Sequence, residues 1–186
     1  MAVLSATEVP LYRLSAQEYQ RIVATGALEG ARVELLDGIM SEMSPQSPRH
    51  AALVESIAEY LGSAGRVRTH SPFEIEDADS VPEPDVLLTD EAKAADHHPR
   101  TARVVVEVAV SSQDVDRGPK ARLYAGAGVP VYWLIDVPAE RVEVRTDPVG
   151  ARYTHTSVRH VGDTLEAPAA GLPELSVSAL LGDHQH

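Results

Sequence analysis

An α/β (α+β) architecture, a mixed central sheet flanked by helices with extra β-hairpins towards the N- and C-terminal ends, follows from three features of this sequence. The run RVVVEVAV at 103–110 is apolar at both strand parities: alternation puts Val105, Glu107 and Ala109 on one face and Val104, Val106 and Val108 on the other. A strand apolar on both faces is covered on both sides, as in the middle of an α/β layer. Segments with helical spacing alternate with strand-like segments along the chain. Hairpin signals stand at Asp37-Gly38 and in the alternating stretches RVEVRT (141–146) and RYTHTSVRHV (152–161).

The elements follow in order. Ser15 and Glu18 form a capping box, with Leu14 and Tyr19 placed as its hydrophobic staple, so a short helix runs to about Gly26. RVELLDGIMSEM is the first hairpin, with Glu34 on its first strand. Ser47 caps a helix that has Pro48 in its first turn. Val54, Ile57, Ala58 and Leu61 recur at helical spacing, His50 sits one turn before Val54, and Gly62 and Gly65 close the helix. Residues 66–76 are extended, interrupted by Pro72. A strand begins at Asp85 after Val-Pro-Glu-Pro, a polar loop follows, and then the Glu107 strand. Gly118 and Pro119 open a helix with Lys120, Leu123, Tyr124 and Ala127 along one side. VYWLID is the next apolar strand, RVEVRT an edge hairpin strand, and LSVSALL a short terminal helix.

At 186 residues the chain suits a single domain over 1–186, with flexible ends at 1–10 and 183–186. Its apolar fraction of 44% and charged fraction of 24% are ordinary for a globular protein. The net charge of −12 weighs against sequence-independent binding along many phosphates, which needs clustered Lys and Arg. The absence of cysteine excludes disulfides and thiolate metal sites. The first residues lack the basic and apolar regions of a secretion signal, and no apolar run approaches the ~20 residues of a membrane span, so a cytoplasmic location is expected.

Glu107 is the residue that points to chemistry. A carboxylate inside so apolar a run is unfavourable unless a positive group meets it. Asp85 opens a second apolar strand, DVLL, so the two acids can meet where neighbouring strands run side by side, and a cation is the simplest partner for both.

Pro84-Asp85 followed by Glu107 resembles the PD-(D/E)XK nuclease superfamily, in which an Asp and a Glu hold a divalent metal and a Lys two positions after the Glu assists the attacking water. Ala109 occupies that lysine's position here. Lys120 on the next helix, with Tyr124 one turn later, is similar to the Uma-type restriction endonuclease family. VELLDG, MSPQSPRH, PEPDVLL, VVVEVAVSS and DRGPKARLYAGAGVPVYWLID carry that likeness over nearly the whole chain. The resemblance implies a restriction-endonuclease-like fold and a Mg²⁺-dependent endonuclease acting on DNA, with Mn²⁺ as a substitute. Asp85 and Glu107 are then the metal ligands, and Lys120 offsets charge at the metal water or the scissile phosphate. Glu34 either completes the metal shell or lies exposed on its hairpin. His50 binds phosphate or shuttles a proton, or it caps its helix; Tyr124 lines the site or packs.

Asp116 is expected to cap its helix, Asp136 to be a turn residue, and His97, His98, His184 and His186 to play no more than an adventitious part. A homodimer is the expected assembly. Two other readings remain: a catalytically silent nuclease fold that binds or regulates, and metal-free hydrolysis by paired carboxylates as in glycosidases. The single Trp and single Phe argue against a sugar-stacking cleft.

Overall fold

The computed structural model describes residues 10–182; the expected flexible ends lie, apart from Pro10, outside the described residues. A six-stranded mixed sheet forms the middle layer. It comprises β3 (Arg66–Thr69), β4 (Val86–Thr89), β5 (Val104–Ala109), β6 (Val131–Asp136), β7 (Arg141–Pro148) and β8 (Tyr153–His160), side by side in that order. Only β5 and β6 run parallel; the other neighbours are antiparallel. The parallel pair needs a crossover, supplied by α3 (Gln113–Val115), a π-helical turn (Asp116–Lys120) and α4 (Ala121–Gly126).

The parity expected of β5 holds. Val104, Val106 and Val108 pack into one core with Leu53, Ile57 and Leu61 of α2 (Pro48–Gly62) and Leu180 and Leu181 of α5 (Val177–Leu181). Val105 and Ala109 pack into the other, with Ala121, Leu123 and Tyr124 of α4. Glu107 shares that second face and is buried among these apolar groups.

The first hairpin, β1 (Val33–Leu36) and β2 (Ile39–Glu42), forms a separate two-stranded sheet. Asp37 and Gly38 both have positive φ, as a type I′ turn requires. A Cβ at Gly38 would lie 2.7 Å from that of Arg13, so only glycine fits. Leu35 pairs with Val81 and packs on Tyr19 of α1 (Ala16–Ala24), whose Ser15–Glu18 capping box is complete. This packing brings β1 over the face that carries Glu107. A further two-stranded sheet joins β9 (Thr164–Leu165) to β10 (Leu175–Ser176).

Three local expectations differ. RVEVRT lies inside the sheet, between β6 and β8, because the second hairpin extends the central sheet and leaves β8 as its edge. The crossover helix begins at Gln113 rather than at Gly118, with Pro119 held inside the π turn. Asp136 is a strand residue, not a turn residue, and is 4% exposed. No helix among the described residues is long and apolar enough to cross a membrane.

Candidate functional site

The site forms where β4 stops pairing with β5. In their register the residue opposite Val108 is Pro84, beyond the paired strand, so the Val108 N–H needs another acceptor. The Asp85 side chain supplies it, accepting from Val108 N at 2.8 Å through Oδ2. Its Oδ1 faces two imidazoles, His50 Nε2 at 3.1 Å and His70 Nδ1 at 3.6 Å, whose rings stack 6.1 Å apart. His50 reaches this position because Ser47 caps α2 by accepting from the His50 backbone N–H, which fixes the first helical turn beside the end of β4.

One residue along β5 from Val108, Glu107 points to the opposite face. Its Oε1 accepts from the Tyr124 hydroxyl at 2.5 Å and from Lys120 Nζ at 3.2 Å. Lys120 Nζ also lies 3.1 Å from Glu34 Oε2 and 3.7 Å from Asp116 Oδ1. Glu34 is held in turn by the Glu83 backbone N–H, and Asp116 by the Ser112 hydroxyl. Three carboxylates therefore share one ammonium, all four groups being at most 7% exposed at the side chain.

The shared charge sets the proton affinities. Burial pushes the Glu107 carboxyl well above the usual carboxylate range; Lys120 opposes that, and Asp116, Asp85 and Glu34 add to it. Asp116 is raised for the same first reason, again with Lys120 opposing. Burial works to deprotonate Lys120, but Glu107, Glu34 and Asp116 outweigh it and hold the ammonium above its ordinary value. Burial raises the Tyr124 phenol, so it stays a donor to Glu107. Burial lowers His70, against the pull of Asp85.

Of these groups, Glu34, His50, Asp85, Glu107, Asp116 and Lys120 open onto a cavity of about 160 Å³. Six carboxylates line it, from Glu34, Glu42, Glu83, Asp85, Glu107 and Asp116, against the cations Arg32 and Lys120. A donor set of hard oxygens with so little positive charge fits a hard divalent cation in its chemistry. The buried His50 Nδ1, which has no hydrogen-bond partner, adds an unmet polar atom at the wall. The side chains are not grouped as a ready cage: among the described residues no three His, Cys, Asp or Glu are arranged to hold a metal. Asp85 and Glu107 line one cavity, but Asp85 is engaged with Val108 and the histidines and Glu107 with Lys120 and Tyr124.

Residues 16–179 match the Uma2 family, described as "Putative restriction endonuclease". The chain belongs to that family. A crystal structure from Anabaena variabilis ATCC 29413, described as a "putative nuclease belonging to DUF820", is similar with a TM-score of 0.70 and 16% sequence identity. The match covers 90% of this chain and 97% of that one, and the likeness is one of fold. No curated protein matches.

Within this Uma2 chain, the cavity draws together five of the six residues that the resemblance assigned to a site. Asp85, Glu107, Lys120, Glu34 and His50 line it, and Tyr124 stands behind Glu107. Glu34 is not an exposed hairpin residue; it is 4% exposed and pairs with Lys120. Asp116 corrects the capping expectation: its carboxylate turns inward to Ser112 and Lys120 instead of capping a helix end. The spacing of Asp116 four residues before Lys120 was a usable signal, since i,i+4 acid–base pairs meet on one helical face. His70 and Glu83 gave no such sign. His70 reaches Asp85 through a left-handed backbone (φ 46°) that no pattern in RVRTHSPFE announces.

Proposed function

We propose that this Uma2 protein is a divalent-cation-dependent endonuclease that hydrolyses phosphodiester bonds in DNA. In this reading Asp85 and Glu107, with Glu34 beside them, hold Mg²⁺ or in its place Mn²⁺. The observation that carries it is the charge imbalance, with Glu107, Glu34 and Asp116 converging on Lys120 alone in a cavity open to solvent. When bound, the metal supplies Lewis-acid polarisation of a water and of a phosphate oxygen.

The chain's own residues do the remaining work. The Val108 N–H and His50 hold the two oxygens of Asp85 in fixed directions. Tyr124 fixes Glu107 by donating to Oε1. Lys120 keeps its proton, so it acts as a fixed positive charge beside the negative charge that develops on the phosphate, not as a base. Cutting both strands calls for a homodimer, and access to DNA calls for a cytoplasmic activity.

Plasmid DNA incubated with Mg²⁺ or Mn²⁺ is expected to be nicked or linearised, with no cleavage in EDTA or by the Glu107→Ala variant. Intact plasmid under every metal condition, from a protein that binds Mn²⁺ by calorimetry, would leave the catalytically silent reading in its place. Ala109 at the usual lysine position and the net charge of −12 favour that second reading. Absence of both cleavage and cation binding would remove the metal from either account.

A further inference from the structure

On the other flank of the Asp116–Lys120 turn lies a recess of about 210 Å³ between α4 and the start of β8. Its wall contains Arg117, Arg122, Arg145, Arg152, Tyr153 and Thr156, and among the described residues no acidic side chain. In a chain of net charge −12 this is a local reversal of sign.

The surrounding ion pairs leave that reversal standing. Arg117 and Arg145 pair with Glu143, Arg117 also with Asp136, and Arg141 shares both acids. Arg122 pairs with Asp37. Among the described residues no carboxylate pairs with Arg152. Counting Arg141, which lies outside the recess, and the unpaired Arg152, five guanidiniums stand against three carboxylates, an excess of two positive charges.

The donors are also incomplete. Arg145 Nε and the Tyr153 hydroxyl are both buried and have no hydrogen-bond partner. A buried donor left unmet is unfavourable, and both atoms belong to residues that line the recess. Guanidinium forks with a hydroxyl beside them match the geometry of a tetrahedral phosphate.

We propose that this recess is a phosphate-binding site, its ligand a phosphate group presented either by a nucleic-acid backbone or by a small phosphorylated molecule. The site stands on its own lining and does not depend on cleavage in the acidic cavity. Its wall residue Arg117 belongs to the same turn as Asp116 and Lys120, so occupancy touches the segment that carries both.

Calorimetric titration of the full chain with inorganic phosphate, at low salt and without divalent cations, should give one saturable event. Arg152→Glu changes an exposed side chain and should weaken it at least about tenfold. Tyr153→Phe, which keeps the ring stacked on Tyr132, should weaken it by about threefold. No saturable uptake by the wild type, or equal uptake by a folded Arg152→Glu protein, overturns the site. A duplex-binding titration in Ca²⁺ separates the sources. Parallel loss of DNA affinity in Arg152→Glu assigns the phosphate to nucleic acid, and unchanged DNA affinity beside lost phosphate uptake assigns it to a small molecule.

Discussion

On one side of the Asp116–Lys120 turn, Lys120 meets the carboxylates of Glu34, Glu107 and Asp116; on the other, Asp136 and Glu143 meet Arg117, Arg141 and Arg145. Both clusters bury their acids, yet Glu143 in one responds in the opposite direction to Glu107 and Asp116 in the other. In the arginine cluster burial works against the Glu143 charge, but hydrogen bonds from Arg117 and Arg145 outweigh it and hold the carboxyl below its usual range. In the lysine cluster burial wins and Glu107 and Asp116 are raised. Burial is common to both; the number of cations available to each acid is what differs. A cluster whose acids are over-supplied with cations has no need of another, and one whose acids are under-supplied is suited to receive a further cation.

The largest test of this contrast breaks the acid-rich side. Lys120→Ala should lower the proposed DNA cleavage by about 10²–10³-fold, the scale set by removal of one electrostatic stabiliser of a transition state. Steady-state cleavage with Mn²⁺ measures it, and an unaltered rate would remove Lys120 from the chemistry. Breaking the other side should act on stability instead. Glu143→Ala leaves Arg117 and Arg141 on Asp136 and Arg145 with no carboxylate, and should cost about 3 kcal/mol in urea denaturation, the low end for a broken buried pair because its arginines are partly exposed. Its cation affinity should equal that of the wild type.

Smaller effects sharpen the same comparison. Tyr124→Phe withdraws one of the two donors on Glu107 Oε1 and should destabilise the protein by about 2 kcal/mol, as for a hydrogen bond to a charged group. The pH dependence gives a sign. The Glu107 carboxyl holds its proton more tightly in the folded chain than in the unfolded one. Above the ordinary carboxylate range the folded chain therefore carries the extra proton, and this group's contribution to stability falls as pH rises towards its raised value. The slope is at most about 1.4 kcal/mol per pH unit, and Glu107→Gln should lack it when the two proteins' unfolding curves are compared across that range without divalent cations. Outside both clusters, Arg103→Ala removes a pair with the exposed Asp90 and should change stability by less than about 1 kcal/mol.

Much of the framework was legible because its causes are local. The capping box at Ser15, the cap at Ser47 and the turn at Asp37-Gly38 each depend on residues within a few positions of one another. The two-faced β5 strand follows from the pleat alone. The place of RVEVRT was misjudged because alternation reports which face a strand buries, not whether another strand pairs on its far side. The inward turn of Asp116 was misjudged because its partner Lys120 was itself expected to begin the helix instead of lying within it.

Strand parity alone makes Glu107 an anomaly, and the order Asp85, Glu107, Lys120 points to one site. The first conclusion needed only the two-residue repeat of a strand, and the second came from the resemblance to the Uma-type family. Tertiary structure alone decided how the acids share their cations: that Glu34 crosses from a separate hairpin to Lys120, that His70 joins His50 on Asp85, and that Asp136 belongs with the arginines. Charge balance in a buried cluster is a sum over groups from distant parts of the chain, and it takes its sign only when folding has chosen which of them meet.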